Sequence, residues 1–129
     1  TNEDYLAVFD LLKAGYKIIY VSDAVVKHSH SYTPSMEFKR YFDTGYIRGM
    51  FPEIQQAVGK AENRGLNYSM AFIKSVYKTK IMLIPYALVI LIFKWIGYRL
   101  GYHGKNLPKS IKREISQYNF YWDSDYAQL

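Results

Sequence analysis

Ile81 to Phe93 is an unbroken apolar run of thirteen residues, with Pro85 near its beginning, and it most constrains what this chain can fold into. So much apolar surface has to leave water. A bilayer-spanning helix needs about 20 apolar residues, and runs of about 10–14 are more often core or interfacial segments. Extending the run through Trp95, Ile96 and Tyr98 lengthens it but takes in Lys94. Three settings satisfy these facts. The preferred one is a helix lying in or on a membrane surface, with flanking Lys and aromatic side chains at headgroup level. The others are a helix docked on a neighbouring domain and, third, a transmembrane helix.

Charge sharpens that choice. The net charge is +6, and from Lys60 to Arg113 eleven Lys or Arg stand against one acid, Glu62. Such a block reads either as a solvated basic face or as a surface for an anionic partner, phospholipid or nucleic acid. The aromatic residues sit among long apolar runs, unlike a solvent-facing stacking platform, so nucleic acid is the weakest of these partners. Fourteen Tyr in a chain that is 18% aromatic favour amphipathic surfaces buried on one side. There is no Cys, which excludes disulfides and thiolate metal sites and is compatible with a reducing cytoplasm.

Local signals give a mainly α fold with a short β-strand or hairpin near the N-terminus. Asn2 caps a first helix with Tyr5, Leu6, Phe9 and Leu12 on its apolar side, and Gly15 supplies a left-handed stop. Tyr16 to Val21 is rich in β-branched and aromatic residues and reads as a strand. Ser22-Asp23 is a turn signal, and Ala24 to His30 runs extended behind it, with His28 and His30 on one face. Thr33-Pro34 opens a second helix, expected to break at Gly45, Gly49 and Pro52. Leu66, Met70, Ile73, Tyr77, Ile81 and Ile84 recur at helical intervals, while Gly97, Gly101 and Gly104 with Pro108 read as a loop. Lys109 to Tyr118 then suits a short basic helix, and Tyr118 to Trp122 an aromatic plug.

The residues suited to chemistry lie near the start. Glu3 and Asp4 fall in a helix first turn, where the dipole stabilises an ionised carboxylate. Taken alone, such a pair is usually a favourable cap. His28-Ser29-His30 puts two imidazoles on one strand face, a partial metal site that lacks third and fourth ligands. Nucleophilic elbows, phosphate-binding glycine loops and H-E-x-x-H helices are all missing from the sequence.

The order of these elements resembles the end of the catalytic domain of family 2 glycosyltransferases, nearest to the rhamnosyltransferase-like members. The resemblance rests on Glu3-Asp4, on Leu11 to Ile18 (LLKAGYKI), on Ala24 to His30 (AVVKHSH) and on Phe38 to Asp43 (FKRYFD). It is strong over about the first 50 residues and weaker through the basic tail. It implies a GT-A type α/β domain ending within 1–50, followed by a basic, apolar, membrane-associated helical region over 51–129. On the same basis Asp4 is the general base, and Glu3 positions acceptor or base. His28 and His30 complete a divalent metal site, for Mg or Mn, that needs an upstream acidic motif. Arg40 and Tyr41 approach the substrate. The implied reaction is metal-dependent inverting transfer of a sugar, rhamnose by resemblance, from a nucleotide-sugar to a lipid-linked saccharide. Its place is the cytoplasmic face of a bacterial inner membrane, peripherally bound. Because the chain begins at Thr1 with these residues three positions in, it reads as an excised piece, inactive alone and prone to self-association through an uncovered apolar edge. The rival reading is a non-enzymatic membrane-surface or partner-binding helical module.

Overall fold

Helix ends follow the local chemistry of the chain. The computed structural model describes residues 3–27, 31–53 and 61–124, with the side chains of 3–6 and 61–64 outside that description. Helix α1 spans Glu3–Lys13 and stops where Gly15 takes φ +86. The amide of Gly15 donates to the Leu12 carbonyl and that of Tyr16 to Leu11, the paired bonds of a Schellman closure. The expected Asn2 cap lies outside the described residues. Helix α2, Pro34–Met50, begins as expected: the Thr33 hydroxyl accepts from the Met36 amide at 3.3 Å, and proline stands in the first turn. Helix α3, Ala61–Thr79, ends at Lys80, whose φ of −155 leaves the helical region. A 3-10 turn over Ile81–Leu83 then leads into α4, Ile84–Tyr102, with Pro85 in its first turn. A short helix α5, Lys109–Ile115, follows Pro108, and a 3-10 segment over Asn119–Asp123 comes after it.

Two expectations fail. The first is the strand. No strand or sheet occurs among the described residues, so neither the hairpin near the N-terminus nor a GT-A type α/β sheet is present. Tyr16 to Val21 is irregular, and the Ser22-Asp23 turn that follows holds only local bonds, Ala24 N–H to the Val21 carbonyl and Val25 N–H to that of Asp23. High β-propensity expresses itself only against a hydrogen-bonded neighbour and a covered face. Here Ile19 is 79% and Tyr20 91% exposed, so neither condition is met.

The second failure concerns glycine. Gly45 and Gly49 do not break α2, and Gly97 and Gly101 are not in a loop; all four sit inside helices, where α2 and α4 cross. A Cβ at Gly97 would run into the Phe38 carbonyl, one at Gly101 into that of Phe42, and one at Gly49 into that of Tyr102. These partners rise together along both helices, so α2 and α4 run parallel. Missing side chains let the two backbones touch, the arrangement that glycines four apart permit. The parallel course requires a return leg, and α3 supplies it: Tyr68 near its start bonds Lys94, while its end joins α4 through Lys80.

Around this crossing the core is small: among the described residues Phe42, Ile47, Ala87 and Trp122 are the buried apolar ones. Of the expected aromatic plug only Trp122 is inserted, edge-on to Tyr46 at 5.0 Å, whereas Phe120 stays exposed. The end of α5 and the segment after it are tied to α2 by polar bonds, with Lys39 Nζ donating to the Glu114 carbonyl at 2.8 Å and Gln117 N–H to Asp43 Oδ2 at 3.1 Å. Lys112 is buried beside it. Its ammonium donates to the Lys105 carbonyl at 2.7 Å and lies over the rings of Tyr46 and Trp122, while burial pushes its pKa down.

Candidate functional site

The same crossing shapes a cleft. Arg40, Thr44 and Arg48 follow one another at four-residue intervals along one face of α2, and Lys94, Tyr98 and Arg99 face them from α4. Helix α3 closes the third side with Gly65, Tyr68 and Ser69. The open cleft has a volume of about 740 Å³, within the range of ligand sites. Among the described residues four cations and four aromatic rings (Tyr41, Tyr68, Trp95 and Tyr98) line it, and no carboxylate does.

One acid stands behind the wall. Glu37 is buried on α2, with Oε1 3.3 Å from the Lys94 ammonium and Oε2 3.4 Å from Arg40 Nε. Lys94 also donates to the Tyr68 hydroxyl at 3.1 Å and lies over the rings of Tyr41 and Tyr68 at about 5 Å. Burial works against its charge, but the Tyr68 bond, Tyr41 and Glu37 outweigh that and hold its pKa above the ordinary lysine value. The charge that complicates the apolar run is therefore a buried, partnered ammonium. The arrangement locks α2 to α4 and leaves Arg48 and Arg99 further along the cleft, one helical turn beyond Thr44 and Trp95 respectively.

Beyond the cleft a second depression of about 530 Å³ runs between α3 and α4, lined by Met70, Ile73, Lys74, Tyr77 and Leu88. Ser69 and Leu91 border both cavities, so the apolar groove adjoins the cationic cleft. Much of the rest of α4 is uncovered, including Val89, Ile92 and Ile96.

Of the residues singled out in the sequence, Arg40 and Tyr41 are brought together in this cleft, with the Arg40 guanidinium 5.4 Å above the Tyr41 ring. Glu3 and Asp4 do open α1, as expected, but their side chains lie outside the described residues. His28 and His30 lie outside them altogether. No group of three His, Asp or Glu able to hold a metal occurs among the described residues. Arg48, Lys94, Arg99, Tyr68 and Glu37 were not anticipated. The Arg40–Thr44–Arg48 spacing on a helix face is the sequence signal for part of the set, whereas the loop signals at Gly97 and Gly101 conceal the partner helix.

These features define a helical, basic module in which, among the described residues, one helical stretch, Ile81–Tyr102, is long and apolar enough to cross a membrane. Among curated proteins the chain is similar to O-antigen chain rhamnosyltransferase RfbN of Salmonella typhimurium, at 41% identity over 122 residues. It is equally similar, at 41% over 122 residues, to O-antigen chain rhamnosyltransferase WbaN of Salmonella anatum. Each alignment takes in 95% of this chain but only 39% of the relative's length. No family model matches the chain, and no solved structure does.

Proposed function

We propose that this chain is part of a longer rhamnosyltransferase that extends a surface polysaccharide, and that it contributes the acceptor side of the site and the contact with the membrane. The observation that carries this reading is the 41% identity across 95% of the chain to two O-antigen chain rhamnosyltransferases. The donor is a nucleotide-rhamnose and the acceptor a lipid-linked saccharide. Asp4, in the first turn of α1, takes the proton of the acceptor hydroxyl as its oxygen attacks the anomeric carbon. Bond breaking on the opposite face releases the nucleoside diphosphate and inverts the centre. Glu3 orients the hydroxyl or the base. A divalent cation, Mg or Mn, with His28 and His30 among its ligands, would supply positive charge to the departing diphosphate.

Membrane contact follows from exposure and charge. Ile81, Met82, Leu83, Val89 and Ile92 are open to the surroundings, and Lys74, Lys78 and Lys80 stand beside them. Lys94 sits about halfway along α4, where a spanning helix would bring its charge to the bilayer centre at high cost. A helix lying in the interface, on the cytoplasmic face, avoids that cost and keeps the cleft at headgroup level.

Transfer to the lipid-linked acceptor by the full-length protein tests the reading. Asp4→Asn should abolish transfer and leave donor binding nearly intact; equal loss of both would remove Asp4 as the base. His28→Ala should weaken metal-dependent donor binding, and an unchanged metal requirement would take His28 out of the site.

A further inference from the structure

The groove between α3 and α4 has no part in the chemistry above, and the geometry points to it as a seat for one anionic phospholipid of the membrane. An acyl chain fills the groove. The headgroup phosphate meets Lys74 on the groove wall and Lys78 one turn further along α3. This rests on the membrane contact proposed above and names the lipid that the contact selects.

Shape is the first argument. The groove is an open depression of about 530 Å³ that runs about 12 Å from Ser69 to Tyr77 by helix rise. Met70, Ile73 and Tyr77 form its α3 wall, and Leu88 and Leu91 its α4 wall. Met70 is 59% and Tyr77 63% exposed, so apolar surface that close-packed helices would share stays uncovered. Polar groups for a soluble ligand are few. The Ser69 hydroxyl is used within its own helix, donating to the Gly65 carbonyl at 2.8 Å, which leaves the Lys74 ammonium. A run of methylenes ending in a phosphate matches that lining better than a sugar or a free nucleotide.

Charge is the second. From Gly65 to Arg113 the sequence holds no Asp or Glu, and Glu62 precedes Lys74 by twelve residues, about 18 Å along α3. Lys74, Lys78 and Lys80 are exposed. The neighbouring surface of α4 is the reverse. The one charge between Ile81 and Tyr98, Lys94, is turned inward onto Glu37 and Tyr68, while Ile92, one turn beyond Leu88, is exposed. The core of a protein–protein interface is poor in lysine. A helix at a bilayer surface instead carries lysines whose stems lie on acyl chains and whose ammonium groups reach the phosphates. An apolar groove bordered by exposed lysines, on a stretch without acids, therefore fits an anionic lipid layer better than another part of the polypeptide.

Binding of the full-length protein is measured with phosphatidylcholine vesicles, with and without phosphatidylglycerol. Wild type should bind the phosphatidylglycerol vesicles about tenfold more tightly or better, the scale of two lysines at an anionic surface. Changing Lys74→Gln and Lys78→Gln together should remove most of that preference. Lys105→Gln with Lys109→Gln, also exposed but off the groove, should leave it within about twofold. Equal losses from the two pairs would reduce the preference to general basic charge and overturn the seat. In Tyr77→Trp, the fluorescence added over wild type should be quenched by phospholipids brominated on their acyl chains; unquenched fluorescence overturns the seat as well. Met70→Glu should weaken binding to both kinds of vesicle by about tenfold and leave the Tm without lipid unchanged, because the side chain is exposed. Unchanged binding, or a large fall in Tm, would show the groove empty of lipid or covered by protein, and either refutes the proposal. Sugar transfer is scored separately. Lipid selectivity through Lys74 and Lys78 without transfer overturns the rhamnosyltransferase reading and leaves the seat, whereas transfer without that selectivity does the reverse.

Discussion

Replacing Gly101 by Ala is the sharpest test of the α2–α4 contact. On an isolated helix this change stabilises by about 1 kcal/mol, since glycine is the poorer helix former. In this protein the added methyl would lie 2.9 Å from the Phe42 carbonyl carbon and 2.9 Å from the Tyr46 amide nitrogen, and closer still to the Phe42 oxygen. Ordinary contact begins at 3.4 Å, so the backbones must separate by about half an ångström even for the milder clashes. A gap of about 0.5–1 Å forfeits a quarter to a half of each dispersion contact, and overpacking typically costs about 1–3 kcal/mol. The obstacles are main-chain atoms that cannot rotate away, which places the cost near the upper end. After the propensity gain, a net loss of about 2 kcal/mol remains, or a Tm lower by roughly 8 °C. Gly65→Ala is the internal control. It is helical, exposed and unobstructed, so it should raise stability by about 0.5–1 kcal/mol. Thermal unfolding of both variants decides the matter: if Gly101→Ala is as stable as Gly65→Ala, the close crossing is wrong.

Two further changes probe the buried charges. Glu37→Gln leaves the Lys94 ammonium in the interior without its carboxylate and should cost about 3–5 kcal/mol, most of it recovered when Lys94→Met is added; additive losses in denaturant would show the two do not interact. Asp43 is 3% exposed, and burial raises its carboxyl from 3.8 to about 6 against the opposing bonds from Ser116 and Gln117. Its folded pKa exceeds the unfolded one, so stability is greatest below 3.8 and falls as pH rises toward 6, by up to about 3 kcal/mol. Asp43→Asn mimics the protonated form and should be the more stable protein at pH 7, with a flatter urea midpoint between pH 4 and 6.5. Parallel profiles for the two proteins would refute the assignment.

Several local features were legible because their causes span only a few residues. Thr33-Pro34 starts α2 through one side-chain bond and a preset φ, and Gly15 ends α1 because it alone tolerates φ +86 at that point. The cleft was legible only in part. Arg40 and Tyr41 were found through a family likeness to FKRYFD, while Lys94 was noticed as an awkward charge and not as a wall of a site. Glycine was misread for a physical reason. Gly45, Gly49, Gly97 and Gly101 weaken a helix taken by itself, and their benefit exists only when a second backbone arrives. Their four-residue spacing in both helices was the clue.

Sequence alone determined where α1 ends and where α2 and α5 begin, the uneven positive charge, and the apolar stretch that becomes α4, since these depend on side chains and their near neighbours. Tertiary structure decided the rest. It left Tyr16 to Val21 irregular, because a strand needs a hydrogen-bonded partner and the described residues offer none. It made four glycines into a helix crossing, paired Lys94 with Glu37 across 57 residues, and set three arginines around one cleft. Each of those outcomes requires two distant segments to meet, and only packing brings them together.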